Sequence, residues 1–537
     1  MRGTHSEPGR RLVLTLVVLV LAVSAGLRLY NLSSPAEYMF DEVYYAKDAK
    51  AILDGRMDPK RDYPWEPGDV VSWAHPDAGK LTIAVGIALF GDRPFGWRFP
   101  SVVAGLALLG CVYPIARRLG LSHGWAAVAL ALAAADLLGI AQSRIATLDV
   151  FVATWTVLCV LCALRYVQRG RQASWLLLCG LAGGVAVATK WSGLLALLAA
   201  ALVLALGGRI AGLAPGAGPR TSEEHAGEDA HDRRHRRLGT SVALVASSFV
   251  VLPVGIYLAS YIPYFADGHS LAHFRELHSQ MLHFNVTLSA PHSYASAAPT
   301  WIADYRPVWY SFVDKSDYFG VVAMGNPFLW WTGALCFVAA PVLTVWRRAT
   351  LPLLPALLVA VLYLPWFAAS RTSFLYYMTP VAPFLAILVA ATAATLVGQG
   401  ARAAQGALAG NADPAVEDGP RQTGDRRTNL RRLGLAAVAA VVTATAWDVI
   451  GRTAAYVCWE LPARLSDAFA WATASVAVAA GIVLVVGALG AARTRPLVTV
   501  VVLGCIVGIC VPFLPVVLDL GIPAERFYRL IWFPSWI

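Results

Sequence analysis

Leu12-Val-Leu-Thr-Leu-Val-Val-Leu-Val-Leu-Ala-Val-Ser-Ala-Gly-Leu27, led by Arg10-Arg11, is followed about ten residues later by Glu37-Tyr-Met-Phe-Asp41-Glu42-Val-Tyr-Tyr-Ala-Lys-Asp-Ala-Lys50. The first is an apolar run long enough for a bilayer behind a basic lead. The second sets two adjacent carboxylates among aromatic residues beyond its far end. The small residues Val23-Ser24-Ala25 also give the run a signal-peptide shape. Because many further spans follow, an uncleaved first helix is expected. Residues 41 to 53 read as an interfacial helix, with Tyr45, Ala49 and Ile52 on one side and Lys47, Asp48 and Lys50 on the others. Acids in a first turn suit the helix dipole, so capping alone would account for Asp41 and Glu42. An acidic pair against a membrane surface is nevertheless costly enough to suggest use.

Working outward, the whole chain repeats the pattern of that first run. It is 58% hydrophobic and 14% charged over 537 residues, with a mean hydropathy of +0.59. Soluble domains carry roughly 45–50% apolar and about 25% charged residues, so the fold class is an all-α polytopic membrane protein. The net charge of +10 lies in short clusters between apolar runs, among them Arg117-Arg118, Arg233 to Arg237, Arg347-Arg348 and Arg426 to Arg432. That is the positive-inside pattern, and it argues against nucleic acid as a partner. The eight cysteines lie almost entirely in apolar runs. Cys159 and Cys162 have a C-x-x-C spacing with no further ligand, so packing is expected, and no disulfide framework.

Thirteen spans are read, at 11–29, 97–116, 122–140, 149–167, 174–189, 192–209, 240–262, 328–345, 352–369, 376–398, 434–449, 470–490 and 497–519. The arginines put the N-terminus and 117–121, 165–173, 209–239, 346–351, 399–433 and 491–496 in the cytoplasm. Segments 30–96, 141–148, 190–191, 263–327, 370–375, 450–469 and 520–537 then fall outside. The expected organisation is one integral membrane domain over 1–537, with flexible cytoplasmic linkers at 207–238 and 398–433. The first extracytoplasmic loop, 30–96, holds the acidic motif and a second short apolar piece. There His75-Pro76-Asp77-Ala78-Gly79-Lys80 precedes Leu81 to Phe90, too short for a span and expected in the interface. The large extracytoplasmic loop 263–327 is rich in histidine and aromatic residues.

Ionisable residues converge on that outer side: Asp41, Glu42, His75, Lys80, Arg98, Arg144, Asp149, Lys190 and Arg371. Any one could be snorkelling at a span end. Together, carboxylates among cations and aromatic residues suit transfer of a group from a phosphate leaving group to a hydroxyl. A carboxylate takes the hydroxyl proton, cations stabilise the phosphate, and aromatic rings border a sugar. No serine-nucleophile elbow, P-loop or zinc-helix motif is present. His269, His273, His278, His283 and His292 have spacings of 4, 5, 5 and 9, which match no standard metal site. Asn285-Val-Thr287 fits a glycosylation acceptor pattern that is common by chance.

Phe40-Asp41-Glu42, His75-Pro76 with Gly79-Lys80, the Arg98 helix, Arg144 to Asp149 and Lys190-Trp191 with Gly193 resemble the protein O-mannosyltransferases. So do Pro291-His292-Ser-Tyr294-Ala-Ser296 and Arg306-Pro307. Met324-Gly-Asn-Pro327 with Trp330-Trp331, Arg371-Thr-Ser-Phe-Leu-Tyr-Tyr-Met-Thr-Pro380 and Trp532-Phe-Pro-Ser-Trp-Ile537 are similar to the bacterial, actinobacterial-type branch. The resemblance covers residues 10–400 and the tail from about 497. It implies a GT-C glycosyltransferase of about 11–13 transmembrane helices, with interfacial helices in the first outer loop. Such an enzyme moves mannose, with inversion, from polyprenyl-phosphate mannose to Ser/Thr hydroxyls of secreted polypeptides on the extracytoplasmic face of the cell membrane. By the same resemblance Asp41 is the catalytic base and Glu42 supports it or positions the acceptor. Arg98, Lys190, Arg144, Asp149, His75, Lys80, Arg371 and Tyr376 contact the donor phosphate or substrate, or order the site. No resident cofactor is implied, with a divalent ion as the open alternative; the secretion machinery is a further candidate partner. The chain departs from the family in the Asp77-Ala78 that stands where Pro-Leu is frequent, in the added apolar segments of 434–490, and in a 263–327 loop too short for the β-trefoil of eukaryotic members. Two other readings compete. One is another GT-C transferase that moves a lipid-phosphate-linked sugar to a lipid or cell-wall glycan. The other is a transporter, against which the mostly uncharged spans argue.

Overall fold

A computed structural model describes residues 7–55, 74–207, 242–346, 350–398 and 495–537. The expected spans 434–449 and 470–490, and nearly all of both expected linkers, lie outside the described residues.

Eleven of the thirteen expected spans fall on helices. Those of the first half are α1 (Glu7–Leu29), α4 (Pro94–Arg118), α5 (His123–Ala134), α7 (Asp149–Gln168), α8 (Ala173–Thr189) and α9 (Leu194–Ala205), with the interfacial pieces α2 (Glu42–Leu53) and α3 (Ala78–Phe90) between. Then come α10 (Val242–Ser260), α12 (Pro327–Trp346), α13 (Leu353–Tyr363), α14 (Ala382–Leu396) and α15 (Arg495–Phe513). Among the described helices α1, α4, α7, α10 and α12 are long and apolar enough to cross a membrane by length and composition, and shorter apolar helices pack among them. The chain is a multi-pass membrane protein.

Helix α7 is the axis, with 83% of its most apolar window buried, whereas α1 and α10 leave 17% and 11% of theirs buried and turn apolar side chains such as Val18 and Val254 outward, as lipid-facing helices do. Small residues let α8 approach its neighbours. A Cβ on Gly180 would meet the Ser248 carbonyl oxygen at 2.1 Å, and one on Gly184 the Pro253 Cα at 2.8 Å, both on the α10 side.

The expected span 122–140 is interrupted. Asp136 accepts a hydrogen bond from Gly139 N at 3.1 Å and so caps a new short helix, α6 (Leu137–Gln142). The same carboxylate accepts from Asn326 N (3.0 Å) and Trp330 Nε1 (2.9 Å), which ties α6 to the start of α12.

Loop 263–327 carries regular secondary structure. It contains α11 (Leu271–Thr287) and an antiparallel hairpin, β1 (Val308–Asp314) and β2 (Tyr318–Ala323), a departure from an all-helical chain. The ladder runs from Val308 opposite Ala323 to Asp314 opposite Tyr318, with an irregularity between Trp309 and Ser311. Tyr310 is the extra residue of this bulge. Bulges re-aim side chains, and this one turns Tyr310 toward the acidic motif. The C-terminal tail closes the same end: Trp309 Nε1 donates to Trp536 O (2.6 Å), and Trp536 Nε1 to Asp304 O (2.7 Å).

Candidate active site

The two adjacent carboxylates have different surroundings. Glu42 is fully buried. Its oxygens accept from Arg98 Nε and Nη2, Met39 N and Ala146 N, all at 2.9 Å. The remaining reach of Arg98 goes to the carbonyls of Leu32 (3.1 Å), Pro35 (2.8 Å) and Glu37 (2.9 Å). A two-pronged buried pair of this kind leaves no lone pair or donor for a ligand. Glu42 therefore does not meet an acceptor, and Arg98 does not meet a donor phosphate: together they fasten the 32–42 loop to α4 and to the 144–147 turn. Of the roles expected for the two residues, these contacts are those of ordering the site and supporting Asp41.

Asp41, one residue earlier, is left half-buried at the opening of α2. The backbone of Phe40 sits at φ 42°, a left-handed conformation that costs a side chain of this kind roughly 1–3 kcal/mol. Rings from three separate segments hold it there: Tyr310 at 5.2 Å, Tyr376 at 5.9 Å, His292 at 6.0 Å and Phe374 at 6.3 Å between centroids. Desolvation by this aromatic wall pushes the Asp41 carboxyl up to about 7, opposed by Lys190 and assisted by Asp149.

Lys190 terminates α8 in extended backbone, so its side chain leaves the helix and meets the start of α7. Its Nζ donates to both oxygens of Asp149, at 2.9 and 3.2 Å, and lies 4.4 Å from the ring centre of Tyr377 and 5.9 Å from that of Tyr376. Burial alone lowers an ammonium, yet Asp149 and Tyr377 outweigh it and hold Lys190 raised. The turn needs Gly193, where a Cβ would lie 2.2 Å from the Ala186 carbonyl carbon. His75 is buried, and desolvation, with Lys190, Arg371 and Lys80 nearby, keeps it well below its usual range and thus neutral near pH 7. Arg371 is half-buried and donates to Asn285 Oδ1.

Asp41, Asp149, Lys190, His75, Arg371 and Tyr376 thus come together, and four expected residues, Glu42, Arg98, Arg144 and Lys80, are committed elsewhere. Arg144 sends its guanidinium to the carbonyls of Leu27 (3.0 Å), Arg28 (3.0 Å), Tyr30 and Asn31, which caps the C-terminus of α1. Lys80 is buried between Asp77 at 2.9 Å and Asp48 at 3.5 Å, which joins α2 to α3. Asp48, read as facing away from the apolar side of α2, is therefore buried: its partner is Lys80 rather than water. Sequence reasoning did not single out Tyr310, Phe374 and Tyr377 as site residues. An aromatic residue in a loop carries no mark of its direction, and Tyr310 depends on a bulge invisible to periodicity.

Among the described residues no cluster of three histidine, cysteine or acidic side chains is placed to hold a metal ion. The seven described cysteines are free; Cys159 and Cys179 lie 3.5 Å apart between sulfurs. In the histidine-rich loop, His278 shares a hydrogen bond with Tyr257 OH at 2.8 Å.

The fold matches that of the Saccharomyces cerevisiae protein O-mannosyltransferase Pmt1-Pmt2 complex bound to the sugar donor, with a TM-score of 0.63 at 12% identity over 98% of this chain and 92% of that one. The fold is thus one that a protein O-mannosyltransferase adopts. In sequence, the chain is 30% identical over 442 residues to the polyprenol-phosphate-mannose–protein mannosyltransferase of Mycolicibacterium smegmatis, spanning 70% of this chain and 80% of that one. A shorter similarity, 35% over 198 residues, covers 34% of this chain and 33% of an undecaprenyl phosphate-alpha-4-amino-4-deoxy-L-arabinose arabinosyl transferase of Pseudomonas aeruginosa. Two family profiles match: dolichyl-phosphate-mannose-protein mannosyltransferase over residues 74–212, and the C-terminal four-transmembrane region of protein-O-mannosyltransferase over 270–449. The chain belongs to the protein O-mannosyltransferase family.

Proposed function

We propose that this protein transfers mannose from polyprenyl-phosphate mannose to Ser/Thr hydroxyls of secreted or membrane polypeptides, with inversion, on the extracytoplasmic face. The observation that carries it is the convergence at one end of the bundle of the Asp41 segment, the Lys190–Asp149 pair and the rings of Phe40, Tyr310 and Tyr376, where burial holds the Asp41 carboxyl up at about 7. A base with that affinity accepts a proton from a hydroxyl at neutral pH and keeps a driving force for doing so. The acceptor oxygen attacks the anomeric carbon as Asp41 takes its proton. The bond from that carbon to the phosphate oxygen breaks on the opposite side, and polyprenyl monophosphate leaves. Lys190 and Arg371 offer positive charge to the departing phosphate, and neutral His75 can donate one hydrogen bond. Phe40, Tyr310, Phe374 and Tyr376 exclude water and border the sugar. The extracytoplasmic side is supported by the positions of the arginine clusters in the sequence.

The partial likeness to an arabinosyl transferase favours, as second reading, a different lipid-linked sugar passed to a glycan. Membranes containing the full chain, supplied with polyprenyl-phosphate mannose and a Ser/Thr peptide, separate the two. Mannosylated peptide supports the proposal. Transfer only to lipid or glycan acceptors supports the second reading.

A further inference from the structure

Asn285, near the end of α11, joins three segments that are far apart in sequence. Its Nδ2 donates to the carbonyl of Ala74, the residue before His75, at 3.1 Å, and to Met281 O at 2.9 Å. Its Oδ1 accepts from Nη1 of Arg371, which also reaches the Asn285 carbonyl at 3.4 Å. Chemistry fixes the direction of this amide. Arg371 has only donors and the two carbonyls only accept, so turning the carboxamide over sets like against like at every contact. The remaining hold on Arg371 is slight: Nε to Thr372 O at 3.4 Å and the Phe284 ring at 6.0 Å.

The same helix is tied beside the second cation. His278 Nδ1 lies 2.8 Å from Phe274 O, so it carries the proton and Nε2 accepts from Tyr257 OH at 2.8 Å. Tyr257 in turn accepts from Trp191 Nε1 at 3.0 Å, and Trp191 follows Lys190. Helix α11 therefore braces the segments of Lys190, His75 and Arg371 at once. Asn285 is also the asparagine of the glycosylation pattern read in the sequence, and its carboxamide is committed to these internal contacts.

We infer that Asn285 is a positioning residue, which holds the Arg371 guanidinium beside the His75 segment so that Arg371 and Lys190 face one phosphate. This rests on reading the site as one for a lipid-phosphate-linked sugar. The probe is polyprenyl monophosphate, the part such donors share, and the measurement is its Kd for the full-length protein in detergent. Asn285→Ala is expected to weaken binding about tenfold, the size of one charge-assisted hydrogen bond. Arg371→Ala should weaken it at least as much, and the double variant no further than Arg371→Ala alone. Asn285→Asp keeps a partner for Arg371 but cancels its charge, and should bind as weakly as Asn285→Ala; it serves if that variant does not fold. An unchanged Kd in a folded Asn285 variant overturns the inference, as does equal weakening with and without Arg371. Absence of binding by the native protein overturns this inference and the lipid-phosphate reading together. Binding by the native protein without mannose transfer overturns the proposed sugar alone and leaves the cycle decisive for Asn285.

Discussion

Glu42→Gln is the substitution that separates the two neighbouring carboxylates most sharply. Glu42 is fully buried and takes four hydrogen bonds of 2.9 Å, two from Arg98 and two from backbone N–H groups of Met39 and Ala146. Glutamine keeps one oxygen and turns the other into an NH2, which must then face a donor. The Arg98 charge, itself fully buried, loses its counter-charge. Breaking one partner of a buried pair costs about 3–5 kcal/mol, a large share of a fold whose net stability is about 5–15 kcal/mol. The assay is thermal unfolding in detergent, with folded yield by size exclusion. Glu42→Gln should unfold far earlier and lose activity with the fold, whereas Asp41→Asn should keep the native midpoint or exceed it at neutral pH. A Glu42→Gln protein with native stability and no turnover would refute the fastening role and return Glu42 to the chemistry.

Four further outcomes are expected. With Asp41 raised to about 7 by burial, kcat/KM should rise with pH to a plateau above about pH 7, and the rising limb should vanish in Asp41→Asn, read by residual turnover. Because the folded state binds that proton more tightly than the unfolded chain, Asp41 lowers stability as pH climbs from about 4 to about 7; Asp41→Asn should therefore stabilise more at pH 8 than at pH 5, measured by melting. Arg144→Gln strands the carbonyls at the end of α1 and should cost about 2–3 kcal/mol in unfolding experiments, while the survivors bind polyprenyl monophosphate as the native protein does. Gly193→Ala must displace the backbone of Ala186, 2.2 Å from its Cβ; it should move Lys190 and lower donor affinity, whereas alanine at Gly110, where nothing lies within 4 Å, should leave both unchanged.

How far the sequence could be read follows from which physical signal each residue carries. Long apolar runs and arginine clusters report on the bilayer directly, so α1, α4, α7 and α12 appear where expected. Asp136 divides an expected span because one side-chain acceptor can start a helix, which average hydropathy over the run cannot register. Asp41 was legible as half of an acidic pair beyond the first span, and Lys190 as an ionisable residue at a span end. The distinction between Asp41 and Glu42 was not, since it depends on Arg98, 56 residues from Glu42. Asp48 and Lys80 likewise pair across two helices that sequence alone leaves unrelated. Tyr310 lies on β1 and Asn285 on α11, and their roles arise from a bulge and from one amide reaching three segments.

The central claim is that Asp41 removes the proton from the attacking hydroxyl. Its most direct test is single-site turnover by Asp41→Asn in membranes supplied with polyprenyl-phosphate mannose and a Ser/Thr peptide, with folded protein and donor binding measured in parallel. Loss of transfer by at least a hundredfold, with folding and donor affinity retained, is the predicted result. Transfer within a few-fold of the native rate would contradict it.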